Sequence, residues 1–286
     1  MRALYVRISL PGKGRGTAVG GGRVSTMKAN YHTHTARCGH ADGTDEQYIA
    51  AAIERGFDVF GLSDHMPWPY ESGFVNPHVR MPITQMDEYI ATMRELKKKY
   101  KGKIDILTGF ECEYFPKYMN WLAETKEAKK LDYLIFGCHY EGSDETGRYF
   151  GGAKSVEDLT RYVDSAVKGI ETGLFAYIAH PDLFMRRYPV FDENCRAAAR
   201  DICQCCKQNN LPMEINLHDR YRLGGMNGNG YPNADFFEIV CETGNQVIIG
   251  LDAHEPQEVE NPREYDRAAK EAERFGERWL RSLDLG

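Results

Sequence analysis

The sequence predicts an α/β protein in which parallel strands and helices alternate and close into a (β/α) barrel. Short apolar runs alternate with amphipathic stretches of helical length. The runs are continuously apolar, as in parallel strands that are buried on both faces. There are seven of them, which is close to the number that closes a barrel. An open doubly wound sheet is the alternative that this pattern leaves open.

The predicted strands are the apolar runs, read in chain order. They are KANYH (28–32), DVFGLS (58–63), IDILTGF (104–110), YLIFGC (133–138), FAYIA (175–179), MEIN (213–216) and VIIGL (247–251).

Helices are predicted between these runs. Thr44 and Gln47 form a capping-box pattern ahead of a helix over 48–55, and Gly56 ends it. The other predicted helices cover residues 85–100, 119–130, 155–171, 192–209, 234–243 and 263–280.

Composition limits the classes of function. The net charge of −6 provides no broad basic surface, so we expect no nucleic-acid partner. No apolar run approaches the ~20 residues of a membrane span, so we expect no membrane partner. Eight scattered cysteines without a secretory signal favour a reducing cytoplasm. Cys203 and Cys206 form a lone C-x-x-C within a helical stretch, which favours buried or free thiols over a metal or redox pair.

The chain is predicted to form one domain over residues 27–286. Residues 1–26 are basic and rich in glycine, without strand or helix periodicity after Leu10. We expect a disordered or misassigned tail, with Met27 as the true start. A homo-oligomer is compatible with the composition.

Almost every predicted strand ends in residues that bind metals. His32 and His34 end the first strand, His40 follows in its loop, and further candidates end all the other strands but the sixth. The complete set is His32, His34, His40, His65, Glu111, His139, His180, Asp252 and His254. Because the carboxyl ends of parallel strands meet at one rim of a barrel, these side chains are predicted to converge there.

Nine candidate ligands are too many for one four-coordinate ion. We therefore expect two or three divalent ions, with zinc, manganese or iron suited to imidazole and carboxylate ligands. Glu111, with two oxygens, is the natural bridge between neighbouring ions. Two ions about 3.5–4 Å apart neutralise charge on both the attacking and the leaving oxygens of an in-line displacement, which predicts phosphoester hydrolysis.

The motifs HTH (32–34), SDH (63–65), GFE (109–111), GCH (137–139), AHP (179–181) and DAH (252–254) together resemble the polymerase and histidinol phosphatase (PHP) superfamily. The resemblance implies a distorted (β/α)7 barrel with a trinuclear metal site at the C-terminal rim. It implies that His32, His34, Glu111 and Asp252 hold one ion. Glu111, His139 and His180 would hold the second ion, and His40, His65 and His254 the third.

Within this superfamily, the stretches YHTHTARCGHADGT (31–44), SDHMPWP (63–69) and YPN (231–233) are similar to the monofunctional histidinol-phosphate phosphatases. The resemblance implies hydrolysis of a small-molecule phosphate ester, L-histidinol phosphate. The catalytic candidates are Asp64, Glu111, Asp252 and His254, where Asp64 either orients a ligand histidine or protonates the leaving alkoxide. Candidate phosphate-binding side chains are Arg37, Arg186, Arg187, Arg220 and Arg222.

Other functions stay open at this point. The same metal site would serve a phosphoesterase for nucleotides or another small phosphate ester. A proofreading exonuclease is disfavoured by the acidic chain, and an amidohydrolase would place a bridging lysine where Glu111 stands. A non-catalytic metal-binding module would show eroded ligands, whereas this set is complete. His78 and His218 lie outside the pattern, and a structural role is favoured for both. The alternative is that the loops after the second and sixth strands bring either of them towards a substrate.

Overall fold

Seven parallel strands form the central sheet of the computed structural model, which describes residues 27–218 and 230–285. They are β1 (Ala29–Asn30), β2 (Val59–Leu62), β3 (Asp105–Cys112), β4 (Tyr133–Gly137), β5 (Ile178–Ala179), β6 (Met213–Asn216) and β7 (Val247–Gly250). Each strand pairs in parallel with the next along the chain. The order never reverses, so the predicted (β/α)7 barrel is confirmed and the doubly wound alternative is wrong.

Helices connect the strands, as the sequence predicts. They are α1 (Asp45–Glu54), α2 (Met86–Lys99), α3 (Met119–Lys129), α4 (Val156–Glu171), α5 (Glu193–Gln208), α6 (Ala234–Thr243), α7 (Pro256–Glu260) and α8 (Pro262–Ala272). The capping box of Thr44 and Gln47 is present at the start of α1. A large apolar cluster lies between the sheet and these helices, and a smaller one that includes Tyr31, Tyr133 and Tyr177 fills the inside of the barrel.

The first and last strands meet at a junction that we call the seam. It is joined by one isolated parallel bridge between Thr33 and Ala253, just beyond the C-terminal ends of β1 and β7. Lower in the barrel, the backbone N–H of Leu251 donates to Asn30 Oδ1 at 2.9 Å. The seam is thus held at the rim, beside the ligand pairs that the sequence predicts.

The C-terminal segment differs from the predicted helix over 263–280. The α-helix ends at Ala272, and a 3₁₀ segment follows over Glu273–Arg278, in which Gly276 has φ 58° and ψ −129°. The chain then runs beside β7, where the N–H of Leu280 donates to the Val247 carbonyl at 2.8 Å. Leu283 and Leu285 pack against the interior cluster. A glycine conformation that breaks the helix lets this segment line the barrel.

Several other expectations can be compared with the fold. All eight cysteines are free thiols, and Cys203 and Cys206 are buried in α5, as predicted. In the part of the chain that the structure describes, no helix has the length and apolarity to cross a membrane. The predictions for residues 1–26 and for Arg220 and Arg222 lie outside the described residues.

Candidate metal centre

The structure brings the nine predicted metal ligands together at the C-terminal rim of the strands. Eight of them line one cavity of about 340 Å³. The ninth, His32, is fully buried beneath it, with its Nε2 3.2 Å from His34 Nε2. Strand ends and short loops therefore aim side chains from distant parts of the chain at one volume.

Three pairs of imidazole nitrogens face each other within this volume. The Nε2 atoms of His32 and His34 are 3.2 Å apart, and the same atoms of His139 and His180 are also 3.2 Å apart. His40 and His254 form a third pair at 3.0 Å. Two nitrogens on one tetrahedral zinc ion, at bond lengths of 2.0–2.1 Å, are separated by about 3.3 Å. The spacing of each pair therefore fits two ligands of one ion.

Glu111 lies among these pairs. Its Oε1 is 2.8 Å from His180 Nε2 and 3.3 Å from His139 Nε2. Its Oε2 is 3.1 Å from His65 Nδ1, yet in the described part of the chain neither atom makes a hydrogen bond, and both are buried. A buried polar atom without a hydrogen-bond partner carries a free-energy cost. A bound cation would remove this cost, so unpartnered atoms are expected where ligands face a metal ion. The donor set thus fits divalent metal ions.

Asp252 supplies a second carboxylate beside His32 and His34. Its Oδ1 lies 3.1 Å from His34 Nε2 and 3.4 Å from His32 Nε2. Both Asp252, with φ 48°, and His180, with φ 29°, adopt the left-handed backbone region. Residues other than glycine rarely adopt this conformation, and where they do it is concentrated at functional sites. The backbone is strained at two of the positions that carry candidate ligands.

The charges of the cluster separate into anionic acids and cationic inner histidines. Burial alone would raise the pKa of Glu111, but the charges of His139 and then His32 hold it well below its usual value. Burial likewise opposes protonation of His34, but the nearby carboxylates, first Asp252 and then Asp64, raise its pKa to about 9. Protons here balance the carboxylates, so cations that bind the same nitrogens must displace them.

The three histidines at the mouth of the cavity, His40, His65 and His254, have lowered pKa values instead. Burial and then the positive charge of His34 lower the pKa of His40, and the same two causes lower the pKa values of His65 and His254 well below 6.5. These three imidazoles are therefore neutral at pH 7 and offer free lone pairs at the mouth of the cavity.

Two buried carboxylates that sequence reasoning did not assign stand behind the ligand rings. Glu214 Oε1, on β6, is 2.8 Å from His32 Nδ1, and Glu113 Oε1, just after β3, is 3.2 Å from His139 Nδ1. A carboxylate at the far nitrogen fixes the tautomer and orientation of a ligand histidine. The signal was present, because Glu113 is two residues beyond Glu111 and Glu214 stands inside an apolar strand.

Glycines leave the space that two of these carboxylates occupy. A Cβ atom built on Gly137 in β4 would lie 2.9 Å from Glu111 Cδ, and one on Gly250 in β7 would lie 2.6 Å from Glu214 Cδ. Carbon atoms in ordinary contact are at least 3.4 Å apart. Each acidic side chain on one strand thus depends on a glycine on the next.

Asp64 lies beside His34, beneath the cavity. Its carboxylate is fully buried and accepts hydrogen bonds from the Thr35 hydroxyl and from the backbone N–H of His65, and its Oδ1 is 3.6 Å from His34 Nδ1. Among the described residues it is not part of the cavity lining. This position favours the orienting role over that of a proton donor to a leaving group.

The predicted phosphate-binding arginines are separated by the structure. Arg186 lines the cavity and donates to the Tyr149 hydroxyl at 2.6 Å. Arg37 instead forms ion pairs with Asp45 at 2.9 Å and Glu88 at 3.0 Å, away from the described cavity lining. Arg187 is exposed and also lies outside that lining. A phosphate contact by Arg37 would require its guanidinium to leave these two carboxylates, so Arg186 is the better candidate of the three.

The rest of the cavity wall is mostly aromatic and apolar. It is formed by Val79, Tyr140, Tyr149, Leu183 and Tyr231, together with Arg186 and His218. His218, which the sequence pattern left aside, reaches this wall with its ring centroid 4.7 Å from that of His254. Its position just after β6 was the available signal. His78 is exposed, as a structural interpretation allows.

The chain is similar in sequence to a known protein family and to proteins with assigned names. Residues 30–218 match the family model described as the PHP domain. The probable histidinol-phosphatase of Deinococcus radiodurans is 28% identical over 240 residues, which cover 80% of this chain and 86% of that protein. The probable histidinol-phosphatase of Schizosaccharomyces pombe is 26% identical over 258 residues, which cover 82% of each.

A solved structure with a similar fold is that of histidinol phosphate phosphatase from Lactococcus lactis, in complex with zinc, L-histidinol and phosphate. It superimposes with a TM-score of 0.68 at 16% identity, and the match covers 90% of this chain and 98% of that one. At this level of identity the match supports the barrel fold.

Proposed function

Because the chain belongs to the PHP domain family, we propose that it is a metal-dependent phosphatase that hydrolyses L-histidinol phosphate to L-histidinol and phosphate, a step of histidine biosynthesis. The observation that carries this proposal is the convergence of three imidazole pairs around Glu111 and Asp252 at the base of a cavity that also presents Arg186. The names of the relatives from D. radiodurans and S. pombe support the choice of substrate.

The metal ligands are proposed in three sets. They are His32, His34, Glu111 and Asp252 for the first ion, Glu111, His139 and His180 for the second, and His40, His65 and His254 for the third. Each set contains one of the close nitrogen pairs. Divalent ions held there supply an activated nucleophile and neutralise charge on the phosphate oxygens.

The chain itself contributes binding and orientation. Arg186 presents a guanidinium at the cavity wall, where its planar N–H groups match phosphate oxygens. Its bond to the Tyr149 hydroxyl holds the guanidinium against that wall. The aromatic surface of Tyr140 and Tyr231 borders the remaining volume, which suits a leaving group with a flat ring. Cavities of this size accommodate small molecules.

The test is the release of phosphate by protein reconstituted separately with zinc and with manganese. L-Histidinol phosphate is compared with nucleotide and sugar phosphates. We expect kcat/KM for L-histidinol phosphate to exceed the others by ~100-fold or more, equivalent to about 2.7 kcal/mol of transition-state discrimination. Preference for another ester would retain the phosphatase and reject the substrate, whereas no release from any ester would reject the phosphatase.

A further inference from the structure

A buried ion-pair network lies behind His139, on the side away from the cavity centre. Glu113 is fully buried, and its Oε1 contacts both His139 Nδ1, at 3.2 Å, and an Arg80 Nη2 that donates at 2.9 Å. Its other oxygen accepts a hydrogen bond from Trp68 Nε1 at 2.9 Å. Glu113 therefore meets a candidate ligand without being part of the described cavity lining.

Arg80 holds this carboxylate in place. It is 2% exposed and reaches in from the long connection between β2 and α2. Its Nε donates to Asp144 at 2.9 Å, and its Nη1 donates to the Met66 carbonyl at 2.7 Å. Connections that follow β2, β3 and β4 thus meet at one guanidinium, and each buried charge has a partner.

The buried carboxylate of Glu113 carries a desolvation cost, and its contact with His139 gives it a role in return. Glu113 can only accept at this position, which requires the proton of a neutral His139 to lie on Nδ1. The lone pair of Nε2 then faces inward, where it lies 3.2 Å from His180 Nε2 and 3.3 Å from Glu111 Oε1. The ring could otherwise rotate or adopt the other tautomer.

We propose that Glu113, held by Arg80, is a positioning residue that fixes the tautomer and orientation of His139 and thereby tightens the binding of one metal ion. The inference rests on the proposed function for the identity of the ligand set. It adds a residue that contacts neither the proposed substrate nor a proposed ion. Glu214 occupies the corresponding place behind His32, but it contacts the Tyr177 hydroxyl and the N–H of His180 instead of a cation.

The test compares Glu113→Gln with Asp144→Asn. Both changes remove a buried negative charge that pairs with Arg80, but among the described contacts only Glu113 touches a ligand histidine. Zinc per protein chain is measured by mass spectrometry while a chelator competes for the metal. We expect Glu113→Gln to bind one zinc ion 10–100-fold more weakly. Asp144→Asn is expected to keep the zinc content of the unaltered protein at each chelator concentration.

Two outcomes would overturn the proposal. One is an unchanged zinc profile in Glu113→Gln, and the other is the loss of the same ion in Asp144→Asn, which would indicate a merely structural network. A second measurement needs no variant. In the zinc-loaded protein with ¹⁵N-labelled histidine, we expect the His139 ring to carry its proton on Nδ1, and a proton on Nε2 would reject the proposal even if Glu113→Gln fails to fold.

These readouts are independent of phosphatase activity. If the unaltered protein binds zinc but releases no phosphate from any ester, the proposed function fails while the zinc profiles and the tautomer still decide the role of Glu113. If phosphate is released and the profiles do not differ, only the positioning role fails.

Discussion

Replacing Gly137 with alanine is expected to displace the central carboxylate of the metal centre. The added methyl carbon would lie 2.5 Å from His139 Cε1 and 2.9 Å from Glu111 Cδ, whereas ordinary contacts begin at 3.4 Å. The carboxylate oxygen Glu111 Oε1 would lie closer to the added carbon than either of these atoms, so the carboxylate and the imidazole must each retreat by about 1 Å. Metal–ligand distances tolerate about 0.2 Å. Misplacement on this scale costs ~100-fold in rate, which corresponds to about 2.7 kcal/mol in kcat/KM.

The assay measures the zinc content of purified Gly137→Ala protein and its kcat/KM for phosphate release. Gly152→Ala is the matched control, because a Cβ atom there meets no atom within 4 Å. Circular dichroism and thermal unfolding establish that both variants are folded. If folded Gly137→Ala kept its full zinc content and a kcat/KM within about twofold of the control, the steric argument and the central role of Glu111 would both be refuted.

Three further predictions follow from the site. Glu111→Ala should lose at least one ion and ~100-fold or more of activity, measured by metal analysis and phosphate release, and unchanged turnover would remove its assignment as a ligand. The pKa values of His32 and His34 are raised while no metal is bound, so zinc competes with protons for these rings. Zinc binding should therefore release protons, and its affinity should fall as the pH is lowered. Calorimetry in buffers of different ionisation enthalpy measures the release, and heats that do not depend on the buffer would contradict it. Arg186→Met should raise KM by ~10–100-fold while Arg187→Met leaves it unchanged, and equal effects in steady-state kinetics would argue against a phosphate contact by Arg186.

The barrel and the gathering of the nine candidate ligands could be predicted because both depend on the order of residues along each strand and on the parallel arrangement of the strands. Parallel strands bring their C-terminal ends to one rim, so a ligand at each strand end is enough. The same rule cannot separate Glu111 from Glu113, which are two residues apart and approach the cluster from the same part of the chain. Only their distances assign one to the centre and the other to the back of His139.

The arginines show where sequence reasoning stops. Arg37 follows the HTH motif and was a reasonable phosphate ligand, but Glu88, 51 positions away in α2, binds it in the folded protein. Such pairings depend on how loops cross the helices, and no local pattern records them. The end of α8 was missed for a related reason, because the non-helical conformation of Gly276 is favoured by the packing of Leu283 and Leu285 inside the barrel.

The seam also sets an order of events during synthesis of the protein. Asn30 and Leu251, which meet there, are 221 positions apart, and Asp252 and His254 come directly after. A ribosome that has made the first six strands has released four of the imidazoles and one carboxylate of the two inner ligand sets, but not Asp252. A zinc ion captured at that stage would have an incomplete set of ligands and would exchange readily. We therefore expect stable loading of metal to require Asp252 in place and thus closure of the barrel.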